Sequence, residues 1–119
     1  MAHLKVYESE YRFCLILWEN EPIKSSALAA LCNERLGWSR TTTYTVIKRL
    51  SLRGIVVNEN GIVRALVTQQ EVQCSDIDEL IETRFGGSTA SFVAAFAKTR
   101  NLSEKDVADL ERIVMRENK

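Results

Sequence analysis

The apolar residues Tyr11, Cys14, Leu15 and Trp18 recur at intervals of three and four, which predicts an amphipathic helix over residues 9–19 with Ser9 as its cap. The segment 20–22 ends it. A second helix is expected over 26–35, capped by Ser25, with Leu28, Leu31 and Cys32 inward and Gly37 as its stop. A third follows over 40–53, capped by Ser39, with Val46, Ile47 and Leu50 inward and Gly54 beyond its end. The pattern then turns β-branched: Ile55-Val56-Val57 and residues 62–67 flank a polar stretch containing Asn60-Gly61. That dipeptide predicts a hairpin with a type I′ turn, which needs positive φ at both central residues.

Three helices followed by a hairpin, in this order, describe a winged helix-turn-helix, the hairpin being the wing. Three further helices are predicted: over 71–85 with Ile77, Leu80, Ile81 and Phe85 on one side, over 89–98 with Phe92, Val93 and Phe96, and over 104–117. The last carries a buried stripe of Val107, Leu110, Ile113 and Val114, and Ser103 with Asp106 gives its start a capping box. Gly86-Gly87-Ser88 reads as a flexible joint. The fold class is thus mainly α with a small β-hairpin wing, divided into a winged-helix domain over 1–69 and a helical segment over 70–119.

A segment of about fifty residues is too small to be stable alone, so its apolar faces need a cover. One solution is folding back on the wing domain. The other is a second copy: Ile81, Phe85, Phe92, Val93, Phe96, Val107, Leu110, Ile113 and Val114 are the residues expected to form a two-fold homodimer, the symmetry that a palindromic operator requires.

Charge sharpens the picture. The 119 residues sum to zero, yet residues 1–68 hold nine Lys/Arg against six Asp/Glu, about +3, and the remainder about −3. From Lys24 to Arg64 there are seven basic residues and only two acids, Glu34 and Glu59. On the third helix Thr41, Tyr44, Thr45 and Lys48 share a stripe with donors, an aromatic ring and positive charge but no carboxylate. With Arg40 and Thr42 they are the expected contacts in a major groove, and Asn60 and Arg64 on the wing are candidates for phosphate contact. For each of these residues a solvated surface is the competing reading, and Thr42 is also placed partly inward. Arg49 and Arg53 are candidates to pair with Glu34 or hold the wing. Trp38 is assigned to packing between the second and third helices, and Trp18 to the core.

Other chemistries find little support. Cys14, Cys32 and Cys74 lack the spacing of a metal or redox motif and read as reduced thiols, the first two in the core. His3 has no ligand or catalytic constellation around it, so no enzyme, metal or cofactor is expected. No apolar run reaches the roughly 20 residues of a membrane span, and residues 1–10 are too polar for a signal peptide, so the cytoplasm is the expected compartment. A winged helix used only for protein–protein contact is the alternative to DNA binding.

In several places the chain resembles the penicillinase and methicillin-resistance repressors and the related copper-responsive repressors (BlaI/MecI/CopY). The residues are Glu8-Ser9-Glu10, Leu17-Trp18-Glu19, and Trp38-Ser39 followed by Thr42, Thr45, Arg49, Leu50 and Arg53-Gly54, similar to the family's W-S-x-x-T-x-x-T-x-x-x-R-L-x-x-[KR]-G signature. Phe85-Gly86-Gly87, Ser91-Phe92-Val93, Phe96 and Leu102-Ser103 are similar to its dimerisation domain. The resemblance implies a homodimeric repressor on a palindromic DNA operator, relieved by an inducing signal, with a regulatory protease or another inducer as partner. Two departures bear on that relief. Ala95-Phe96 stands where the beta-lactam-responsive members are cut at Asn-Phe, and the Cys-x-Cys tail of the copper-responsive members is missing, which speaks against metal sensing of that type.

Overall fold

A computed structural model describes residues 4–118, so His3 lies outside the described residues. The elements run α1 (Glu8–Asn20), β1 (Ile23–Lys24), α2 (Ser25–Leu36), α3 (Arg40–Leu52), β2 (Val56–Glu59), β3 (Ile62–Ala65), α4 (Gln69–Arg84), α5 (Thr89–Arg100) and α6 (Glu104–Glu117). The chain divides into two compact units at Asp78/Glu79.

In the first unit α1, α2 and α3 pack on a small antiparallel sheet of order β1-β3-β2, a winged helix as expected. Its core is Phe13, Cys14, Leu17, Leu28, Cys32, Leu50, Ile55, Val56 and Val63, each at most 1% exposed. The inward face of α1 differs from expectation: Leu15 is exposed, while Glu10, Phe13, Ile16 and Leu17 are buried with Cys14. Residues 13–18 are a continuous apolar run, so periodicity alone did not determine which side faces inward. α1 also starts at Glu8 with Tyr7 rather than Ser9 in the cap position, because the Glu10 carboxylate accepts the Tyr7 N–H at 3.0 Å.

Trp38 is half-buried and stacks on Phe13 of α1, with ring centroids 6.1 Å apart and planes 6° from parallel. It therefore closes the α2–α3 turn onto α1. Trp18, also half-buried, donates its indole N–H to the Val67 carbonyl at 3.0 Å, holding the chain beyond the wing against α1.

The wing has the expected turn: φ is +53° at Asn60 and +82° at Gly61, and the Asn58 carboxamide oxygen accepts the Gly61 N–H. β1 is an addition that sequence periodicity does not show. Ile23 pairs with Val63 and Lys24 with Ile62, and the Ser25 N–H donates to the Gly61 carbonyl at 2.8 Å. With that N–H committed to the wing, α2 begins at Ser25 itself, and Lys24 rather than Ser25 is the cap residue.

The first unit extends past the wing into α4, where Val72 is fully buried and the Ser75 hydroxyl accepts the Leu4 N–H at 2.8 Å. Its limit at Asp78 lies nine residues beyond the expected boundary at 69 for this reason.

In the second unit the residues at 86–88 form a turn, with positive φ at both glycines and the Gly87 N–H donating to the Ile81 carbonyl at 2.9 Å. Ser88 caps α5 and Ser103 with Asp106 forms a full capping box on α6. Phe85 meets Phe92 edge-on at 5.7 Å, and Phe92 stacks near Phe96 at 6.4 Å. Within the second unit the α6 stripe stays open, in keeping with the expected need for a cover: Val107, Ile113 and Val114 are 42–55% exposed, and no residue of α5 or α6 is buried. The reason is size, since three short helices supply too little surface to cover one another.

Candidate nucleic-acid interface

α3 is built to show one face. Ser39 caps it by accepting the Thr42 N–H at 3.1 Å, and Thr43, Val46, Ile47 and Leu50 bury the inner side at i, i+3, i+4 and i+7. The outer side is then obligatory: Arg40, Thr41, Thr42, Thr45, Lys48 and Arg49 are all exposed. Thr42, placed partly inward by sequence, is outside. The buried threonine is its neighbour Thr43, and the Thr42 hydroxyl instead meets that of Ser39 at 2.9 Å. Burying Leu50 alone contributes about 2 kcal/mol toward holding this face outward.

No acid lies on α3, and among the described residues Lys48 and Arg49 stand without a carboxylate partner. Their charge is therefore not neutralised locally. Tyr44 is different from the rest of the stripe: it is half-buried against the core, and the Arg40 guanidinium lies over its ring, 5.8 Å from the centroid. Arg40 first and the Ser25 hydroxyl second hold the Tyr44 phenol below the ordinary tyrosine range.

On the wing, Asn60 is exposed at the tip, while Arg64 reaches back to Glu59 at 2.8 Å. Both partners of that pair are more than half exposed, so the pair is weak and exchangeable for another anion. The structure places Asn60 next to α2 through the Ser25–Gly61 bond. Lys24 and Ser25 thereby join the same surface, a placement sequence reasoning missed. The available signal was the run Lys24-Ser25-Ser26 immediately before a helical pattern.

Arg53 pairs with Glu10 rather than Glu34. One guanidinium nitrogen meets the buried Glu10 carboxylate, another donates to the Lys5 carbonyl at 2.7 Å, and the group lies 5.5 Å from the centre of the Tyr7 ring. It ties the end of α3 to α1 and to the segment preceding it. Arg49 makes no such contact and remains on the surface. Cys14 and Cys32 are buried, as expected, and Cys74 is exposed. Burial raises the Cys14 thiol to about 12, with the neighbouring Glu10 charge adding to it.

Among the described residues no group of His, Cys, Asp and Glu is placed to hold a metal, and no helix is long and apolar enough to cross a membrane.

A family model described as penicillinase repressor matches residues 7–116, nearly the whole chain, and it is the family whose motifs the residues resemble. No curated protein matches. Among solved structures, the crystal structure of the PcaV transcriptional regulator from Streptomyces coelicolor in complex with its natural ligand is 19% identical, with a TM-score of 0.42, covering 93% of this chain and 73% of that one. That likeness is too distant for any feature to be carried from one to the other.

Proposed function

Since this chain belongs to the penicillinase repressor family, and is thus a DNA-binding repressor, we propose that it acts as a homodimer on a palindromic operator. The observation that supports this most is the outer face of α3: exposed, rich in hydroxyls and cations, and free of carboxylates. In this reading α3 enters the major groove. Arg40 and Lys48 are long donors for phosphate or guanine edges, and Thr41, Thr42 and Thr45 offer hydroxyls and methyls to bases or backbone. Tyr44 belongs to the same face. Asn60 and Arg64 lie where a wing meets the flanking phosphates, Arg64 giving up its exposed partner Glu59.

The homodimer reading rests on the second unit. Ile81, Phe85, Phe92 and Leu110 are half-buried, and Val93, Phe96, Val107, Ile113 and Val114 are exposed by 37–55%. An apolar surface of that extent, where α5 and α6 bury no residue fully, favours a second copy as its cover. The expected division of labour is DNA contact by the winged helix and pairing by the helices after it.

The test is a gel shift on random-sequence duplex at low salt, followed by selection of preferred sites from a randomised duplex pool and sedimentation of the complex. Two protomers per selected duplex, with mirrored half-sites, is the expected result. A protein that ignores duplex of every sequence at low salt would instead support the use of α3 for protein contact.

A further inference from the structure

We infer that the first half of α4 is a bracket fixed to the winged helix, and that Tyr11, Gln69 and Ser75 are positioning residues that set the spacing between the two half-sites of an operator. The inference deepens the homodimer reading and rests on it.

The root of α4 is attached at several points, all within the first unit. Thr68 starts the helix with a reciprocal pair: its hydroxyl accepts the Glu71 N–H at 3.0 Å, and the Glu71 carboxylate accepts the Thr68 N–H at 2.9 Å. Just before it, the Val67 carbonyl accepts the Trp18 indole N–H. Gln69, Val72 and Ser75 then follow at intervals of three, so they share one face. The Gln69 carboxamide donates to the Tyr11 phenol oxygen at 2.9 Å, Val72 is fully buried, and the Ser75 hydroxyl accepts the Leu4 N–H at 2.8 Å. Each partner is itself held. The Tyr11 and Trp18 rings meet edge-on on α1 at 5.7 Å, and Leu4 packs against the core beside Lys5, whose carbonyl accepts from Arg53.

The consequence is one of leverage. α4 continues past Asp78 to Arg84 as one helix, and the proposed pairing surface begins on it at Ile81. From Gln69 to Ile81 an α-helix rises about 18 Å, so a pivot of about 10° at the root displaces Ile81 by about 3 Å. That is close to the ~3.4 Å between successive base pairs. A root free to pivot would let one dimer accept neighbouring spacings at little cost. A root held at Gln69 and again at Ser75, with Val72 buried between them, resists the pivot, and a shift of one base pair then breaks contacts. Tyr11, Gln69 and Ser75 belong neither to the outer face of α3 nor to the wing, so they act on DNA only through the separation of the two groove helices.

The experiment uses the full chain and duplexes carrying two inverted copies of its selected half-site, separated by spacers that lengthen one base pair at a time. It reads the share of each spacer in the bound fraction for wild type, Tyr11→Phe, Ser75→Ala, Ser75→Thr and Tyr11→Phe/Ser75→Ala. Wild type is expected to favour one spacing about tenfold over those one base pair away. Tyr11→Phe and Ser75→Ala should each reduce that preference about twofold and the double variant about fourfold, while Ser75→Thr, which keeps the hydroxyl, should keep the wild-type profile. Base preference within the half-site, dimer sedimentation and the thermal melt should stay near wild type in every variant, which separates positioning from pairing and from folding. The inference is overturned if wild type accepts adjacent spacings equally, if the double variant keeps the wild-type profile, or if the profile broadens only where the melt also falls. Sedimentation of the complex identifies failure of the underlying reading: a wild type that binds no duplex, or binds as a lone protomer, refutes the homodimer itself and the inference with it.

Discussion

Removing the Arg53 side chain should destabilise the protein more than removing its partner, because the two ends of the ion pair are buried to different depths. The Glu10 side chain is 4% exposed, and that of Arg53 is 28% exposed. Arg53→Ala strands a carboxylate in the interior, with the Tyr7 N–H as its remaining hydrogen-bond donor among the described residues. Truncating one partner of a buried pair costs ~3–5 kcal/mol, and the partial exposure of Arg53 places this case near the lower figure, about 3 kcal/mol. Glu10→Ala leaves a guanidinium that keeps the Lys5 carbonyl, the Tyr7 ring and access to water, so the cost should be only about 1–2 kcal/mol. Arg53→Lys keeps the charge but cannot serve Glu10 and Lys5 in the same planar arrangement, and about 1 kcal/mol is expected. Urea unfolding followed by far-UV circular dichroism, at one fixed protomer concentration, measures all three. If Glu10→Ala costs as much as Arg53→Ala, the unequal burial does not govern the pair and the reasoning fails.

If Lys48 contacts a phosphate, Lys48→Ala should weaken binding to all duplexes alike and reduce the salt slope by about one unit, whereas a base contact would concentrate the loss at one operator position; salt-titrated gel shifts distinguish the two. Gly61→Ala puts a side chain at φ +82° and should cost about 1 kcal/mol or more in thermal unfolding, with Asn60→Gly close to neutral. Because burial raises the Cys14 thiol to about 12, almost no thiolate forms there at pH 8, and because burial also raises the Cys32 thiol and both side chains are buried, iodoacetamide should label Cys74 first by mass spectrometry; equal labelling of Cys14 would contradict its burial. If the helices after the wing pair two copies as proposed, Val114→Asp on the exposed stripe of α6 should shift sedimentation from dimer to monomer while leaving the melting of the winged helix nearly unchanged, and an unaltered dimer would remove Val114 from the contact.

The parts of the fold carried by short-range patterns were legible in the sequence. Asn60-Gly61 announced its turn because positive φ at two successive positions restricts residue choice severely, and Ser39, Gly37 and Ser103 marked helix ends for similarly local reasons. What escaped depends on distance along the chain. β1 is two residues long and has no periodicity of its own, so its pairing with Val63 and Ile62 had no signature. The Glu10–Arg53 pair spans 43 residues, and neither charge marks its partner, which is why Glu34 was as plausible. On α1 the unbroken run from Phe13 to Trp18 satisfied more than one inward face, and only packing separated Phe13 from Leu15. At the candidate interface the outward stripe of α3 followed from its inward one. The half-burial of Tyr44 beside Arg40 and Ser25 required the third dimension.

The bond from the Ser25 N–H to the Gly61 carbonyl, together with the pairing of Ile23 and Lys24 to the returning strand, makes the hairpin tip a closed stitch. An extra residue at the tip would displace that carbonyl and unfasten the beginning of α2, so this arm has one permitted length. A longer arm would require a different way of starting the helix beneath it, so the reach of the wing and the first turn of α2 are set together.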